Sequence, residues 1–283
     1  MSETQSFPAP AKLNLMLRII GRRPDGYHLL QSVIRFVDHG DTLTFRLRDD
    51  GRITRARDVA GVATEDDITL KAARLLQTAA GTRLGVEIAL EKKLPLGGGL
   101  GGGSSDAATT LLALNRLWGA GLNRERLLAL ALQLGADVPV FVYGESALVE
   151  GIGERLSPVR VPDEWYLVLE PPVVVPTARI FAHKQLKRDS KPTKITAFSV
   201  AQAGNDVEAV VCGEYPEVAR HLAWLKDRLE GRAGAWVTGT GACVFAAFPT
   251  EQAARQIWDE APPGMRGFVA RGLDRHPLQG LAH

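Results

Sequence analysis

Between Pro95 and Ser105 the chain reads PLGGGLGGGSS, with six glycines in the seven positions from Gly97 to Gly103. Glycine loses more backbone freedom on folding than any other residue, so a run this dense is costly. One tight turn would need only one or two of them. What the run supplies is close approach of bare backbone N–H groups to an anion. Alternation at Val86, Ile88 and Leu90 predicts a strand before the loop. After it, Ala108, Leu111, Leu112 and Leu114 predict an amphipathic helix from about Ser105 to Trp118. The start of that helix adds free N–H groups and the positive end of its dipole. A polyphosphate suits all of these features. Gly/Ser linkers behave as random coil, and they do not usually join a strand to a well-formed helix. The pattern is neither GxxxxGK[ST], because no lysine follows the last glycine, nor GxGxxG opening a βαβ unit. Any lysine that neutralises the phosphates must come from elsewhere in the chain.

Residues 12–18 alternate, with Leu13, Leu15 and Leu17 on one side and Lys12, Asn14 and Met16 on the other, which predicts a half-buried strand. Lys12 and Asn14 then project together. By spacing alone, Lys12 reads as a strand-edge lysine with a packed stem, and Asn14 as part of an exposed polar face. Pro24-Asp25-Gly26 is a turn signal that delivers Tyr27 and His28 directly after it. Asp137-Val138-Pro139 has the form of a helix N-cap followed by proline in the first turn. Asp106 stands just inside the helix after the loop, an awkward place for a carboxylate, and its role stays open.

The elements that must carry these residues read as mixed strands and helices. Asp41 to Leu47 alternates, Asp66 to Ala80 has a helical pattern, and Asn123 caps a helix that Gly135 ends. Further on, Trp236 to Phe248 reads as two strands around Gly239-Thr240-Gly241, followed by a helix to Glu260 and a strand at 267–270. The class is α+β. At 283 residues the chain is long for one core, and Arg160 to Pro162 reads as a boundary between a domain at 1–159 and another at 160–283.

Composition narrows the function classes. A content of 45% hydrophobic and 23% charged residues is that of an ordinary globular chain. The 34 basic and 32 acidic residues are scattered, without the basic stripe expected of a nucleic-acid binder. Cys212 and Cys243 offer neither a disulfide framework nor metal-ligand spacing, which argues for a reducing, cytoplasmic setting. No apolar run approaches the roughly 20 residues of a membrane helix, and the first residues lack a signal-peptide pattern. A small-molecule partner is expected, with no nucleic acid and no membrane; the oligomeric state is open.

Five segments occur in one order: PAKLNL (10–15), DGYH (25–28), PLGGGLGGGSSDAA (95–108), GADVPVF (135–141) and TGTGACVF (238–245). Together they resemble the GHMP kinases, the superfamily of the galactokinase, homoserine, mevalonate and phosphomevalonate kinases, and the resemblance spans nearly the whole chain. It implies a two-domain fold with the active site in the interdomain cleft and transfer of a phosphoryl group from Mg-ATP to a hydroxyl. In the branch whose motifs follow this order, the acceptor is a methylated erythritol carrying a cytidine diphosphate, and its 2-hydroxyl is phosphorylated. ATP would be held by Pro95, Leu96, Gly97, Gly98, Gly99, Leu100, Gly101, Gly102, Gly103, Ser104 and Ser105. Asp137 would take the hydroxyl proton, a role compatible with capping. Lys12 would stabilise charge on the moving phosphoryl group. Asn14 would bind the polyol end, and Tyr27, His28, Thr177 and Phe181 the cytidine end, with Tyr27 and Phe181 as stacking plates. From spacing alone, Phe181 reads as core. Gly239, Thr240 and Gly241 resemble the third family motif, which closes the phosphate site. The magnesium ligands stay unknown. A sister kinase for homoserine or a mevalonate intermediate would keep the loop without needing Tyr27, His28 and Phe181. A non-catalytic nucleotide-binding regulator would not need both Lys12 and Asp137.

Overall fold

The computed structural model describes residues 4–229 and 234–282. The chain opens with two long antiparallel strands, β1 (Thr4–Arg22) and β2 (His28–Arg48), then β3 (Ile53–Arg55), α1 (Ile68–Ala80) and β4 (Gly85–Glu91). Three helices follow, α2 (Gly102–Leu117), α3 (Arg124–Leu134) and α4 (Val138–Tyr143), and then β5 (Ala147–Gly151), β6 (Arg155–Pro158) and β7 (Trp165–Leu169). The rest comprises α5 (Thr177–Ala182), β8 (Gly204–Asn205), α6 (Glu208–Glu214), α7 (Pro216–Arg228), β9 (Ala235–Val237), β10 (Val244–Phe248), α8 (Glu251–Trp258) and β11 (Gly267–Leu273).

Among the described residues the strands form a single hydrogen-bonded network in the order β3-β4-β2-β11-β7-β10-β9, with β1 and β5 also paired to β2. Antiparallel β2–β11 pairing, Val37 opposite Gly272 and Phe36 opposite Leu273, joins the two halves of the chain. α2 is the central helix of the first half: Ala107, Ala108, Leu111, Leu112 and Leu114 are fully buried with Phe36, Phe45 and Phe141. A second core gathers Leu167, Leu169, Val211, Leu222, Val237 and Val244. Between them, Leu13, Leu15 and Met16 of β1 pack with Tyr166 and Phe245.

Two expectations are corrected here. Residues 12–17 are buried on both faces rather than one, because the face opposite the leucines is covered by the turn after β9. A register shift between Asn14 and Met16 also places Met16 in the apolar cluster of Leu13 and Leu15, away from Asn14. The helix after the glycine loop starts at Gly102, inside the glycine run, not at Ser105. No described helix is long and apolar enough to cross a membrane.

Candidate active site

The glycine loop is laced to its neighbours by backbone hydrogen bonds. Lys12 N–H donates to Leu100 C=O (2.9 Å), and Ala242 and Cys243 N–H donate to Gly97 and Gly98 C=O (3.0 Å each). Two positions show why side chains are excluded. Gly99 has φ +75°, and a Cβ there would fall 2.1 Å from the Thr238 carbonyl oxygen. Gly101 has φ +69°, and its Cβ would fall 2.9 Å from Cγ and Cε of Lys12. L-residues with side chains rarely adopt such φ values. The N-terminal N–H groups of α2 thus open onto a cleft of about 440 Å³.

Lys12 and Asn14, the loop from Pro95 to Ser104, Asp137, Thr177, Phe181 and Gly239–Gly241 all line this cleft. Ser105 does not: it is wholly buried beneath the loop, with its Oγ unpartnered. Tyr27 and His28 are also outside the lining.

The Lys12 ammonium lies 3.4 Å from Asp137 Oδ2 and donates to Asn14 Oδ1. Asn14 Nδ2 donates in turn to Ser32 Oγ (2.8 Å), whose hydroxyl donates to Met16 C=O (2.6 Å). Asn14 N–H donates to Thr238 Oγ1 (3.0 Å), which ties β1 to the turn after β9. Asp137 stands at the N-cap of α4 with Pro139 in the first turn, yet its side chain makes no capping bond. Its carboxylate is turned towards Lys12 instead. Thr177 and Thr240 hydroxyls meet at 2.8 Å across the cleft wall.

Behind the lining, the His28 ring lies 5.0 Å from that of Phe181 at 30°, and Phe181 is only partly core. Tyr27 is 60% exposed and meets neither ring. Arg188, which the sequence reading missed, donates its Nε–H to His28 Nε2 (3.1 Å) and its Nη2 hydrogens to the carbonyls of Phe181 and His183. Burial, then Arg188 and Arg22, push the His28 pKa below the usual value. Arginine offers only donors. Nε2 therefore accepts, and the neutral ring carries its proton on Nδ1.

Two lysines from outside the glycine run reach the cleft. One is Lys12. The other is Lys92, just after β4, whose Nζ would sit 2.9 Å from a Cβ on Gly102 and which lines the cleft. Its position is not legible locally, since its partners Asp41 and Asp106 come from β2 and α2.

Fold and loop together define a small-molecule kinase of the two-domain α+β type. The family model described as GHMP kinases N terminal domain matches residues 67–145, and the one described as GHMP kinases C terminal matches 201–263. The chain belongs to the GHMP kinases. It is 60% identical to the 4-diphosphocytidyl-2-C-methyl-D-erythritol kinase of Thiobacillus denitrificans, over 97% of this chain and 98% of that protein. The enzyme of the same name from Nitrosospira multiformis is 59% identical, over 98% and 94%. A crystal structure of 4-(cytidine 5'-diphospho)-2C-methyl-D-erythritol kinase superposes with a TM-score of 0.80 at 32% identity, covering 95% of this chain and 99% of that one. A homoserine kinase from Cytophaga hutchinsonii, at 20% identity and a TM-score of 0.69, shares the fold.

Proposed function

We propose that this protein transfers the γ-phosphoryl group of ATP to the 2-hydroxyl of 4-diphosphocytidyl-2-C-methyl-D-erythritol, a step of the non-mevalonate route to isoprenoid precursors, in the cytoplasm. The observation that carries the reading is the pair of Lys12 and Asp137, 3.4 Å apart in a cleft floored by the glycine loop. The acceptor's identity is supported by the name that relatives about 60% identical along the whole chain share.

Phosphoryl transfer is chiefly a matter of positioning and charge stabilisation. Backbone N–H groups of the loop and of the first turn of α2 bind the nucleotide phosphates. Asp137 accepts the proton of the attacking hydroxyl, and Lys12 balances charge on the phosphoryl oxygens as the bond forms. Asn14, oriented by Lys12 and Ser32, holds the polyol. Phe181 and His28 receive the cytosine, with Tyr27 closing over it as the second plate and Thr177 beside it. Gly239–Gly241 back the loop from the second half.

Mg2+ is expected with the nucleotide, where it neutralises phosphate charge. Such an ion keeps several waters and takes one or two carboxylates besides phosphate oxygens. Among the described residues no group of three or more His, Cys, Asp or Glu could hold a metal. The residues therefore do not build a resident cage for the ion, and no protein ligand is assigned to it. The test is ADP release measured across candidate acceptors, with and without the cytidylyl group. Turnover confined to the cytidylyl-bearing acceptor is expected; turnover of homoserine or mevalonate instead would overturn the reading.

A further inference from the structure

Behind the start of α2 a half-buried cation meets two buried carboxyl groups. Lys92 Nζ is 2.5 Å from Asp41 Oδ2 and 2.9 Å from Asp106 Oδ2. Asp41 Oδ1 also accepts from the backbone N–H groups of Lys93 (2.6 Å) and Leu94 (2.9 Å). Asp106 Oδ1 is buried and has no partner at all. The ammonium itself stands beside Gly102, the first residue of α2, at the edge of the cleft.

A cation beside the positive end of a helix is unfavourable until an anion arrives. The two carboxyl groups hold it there, but two carboxylates on one ammonium leave a surplus buried negative charge, which a protein relieves by binding a proton. Asp41 accepts from three donors. Asp106 has one donor and an orphaned oxygen, so the proton belongs to it. Burial is the main cause that raises its pKa to about 7, assisted by Asp41 and opposed by Lys92. Lys92, on which burial acts to lower the pKa, is carried above the usual value by Asp106 and Asp41. Lys92 and Asp41 are the charged groups facing Asp106.

We propose that Asp41 and Asp106 are positioning residues for the nucleotide: they hold Lys92 against the start of α2, and the Asp106 carboxylate takes up a proton from solvent when the phosphates dock. The inference rests on the loop being a nucleotide-phosphate cradle. Added negative charge near the cluster disfavours ionised Asp106, so by linkage binding tightens as pH falls through about 7.

The experiment is calorimetric titration of the full-length protein with ADP at pH 6, 7 and 8, repeated in buffers of different ionisation enthalpy. Asp106→Asn removes the titrating group while keeping an acceptor for Lys92, so it reports the proton exchange of ADP itself. The parent should take up more protons than this variant, by up to one per site, and its affinity relative to the variant should fall as pH rises. Equal proton counts with parallel pH profiles overturn the proposal while leaving the cradle reading intact. No ADP binding by the parent overturns both. Should Asp106→Asn misfold, Lys92→Gln serves: a loss of ADP affinity of tenfold or more supports the proposal, and unchanged affinity overturns it.

Discussion

The Lys12 ammonium and the Asp137 carboxylate stand 3.4 Å apart, yet 3% of the Lys12 side chain is accessible against 45% of that of Asp137. The asymmetry distinguishes the pair from an ordinary surface salt bridge, which contributes little. Lys12 is fixed by Asn14 and by the packing of its stem against Gly101, while Asp137 keeps an open oxygen facing the cleft. Asp137→Asn should therefore lower kcat by about 10²–10⁴, the usual contribution of a general base. Because the Asp137 side chain makes no capping bond, the melting temperature should barely move. Turnover within a few-fold of the parent would remove Asp137 from the mechanism.

Gly101→Val places a β-branched side chain at φ +69° and against Lys12 Cγ and Cε. Nucleotide affinity and kcat should each fall by about tenfold or more, the factor that 1.4 kcal/mol carries. Isothermal titration with a non-hydrolysable ATP analogue, read beside a thermal melt, separates this from simple unfolding: stability should drop much less than binding.

At the acceptor end, Phe181→Ala and Tyr27→Ala should each raise the acceptor KM, by an amount corresponding to ~1–3 kcal/mol of lost stacking, with ATP KM nearly unchanged. Equal kcat/KM for the acceptor with and without its cytidylyl group would remove the cytidine pocket but not the kinase.

Arg188→Ala takes away a positive charge that helps lower the His28 pKa and frees Nε2. His28 should then gain protons at a higher pH than in the parent, so the acceptor KM of the variant should change more steeply with pH between 6 and 7. Coincident pH profiles would show that Arg188 does not set the state of the ring.

His276 offers a stability test remote from the chemistry. It is buried between Phe36 and Phe141, and burial lowers its pKa to about 3. The unfolded chain binds this proton below about 6.5 and the folded chain does not, so stability is present above 6.5 and lost as pH falls towards 3. The urea midpoint should fall between pH 7 and 4.5. His276→Asn keeps an acceptor for the Leu278 N–H (3.0 Å in the parent) but cannot titrate, and its midpoint should fall less.

The legible parts of the site were local. The glycine run, the helix after it, the cap at Asn123 and the turn at Gly239–Gly241 each follow from a few adjacent residues. Alternation found β1, but it misjudged the burial of that strand, because what covers the second face arrives from Thr238 far along the chain. The same distance hid Lys92 and Arg188, whose partners lie on other elements and leave no periodic trace. Asp137 looked like a cap because its backbone sits at one; only the position of β1 explains why its side chain serves another end.

β1 pairs with β2 along nearly its whole length, runs parallel to β8 at Met16 and Leu17, and is pinned to Thr238, while β2 also pairs with β11. The short β1–β8 and β2–β11 ladders and the Thr238 contact thus tie the second half to the long hairpin of the first. The strand that carries Lys12 is thereby anchored from both ends of the sequence at once.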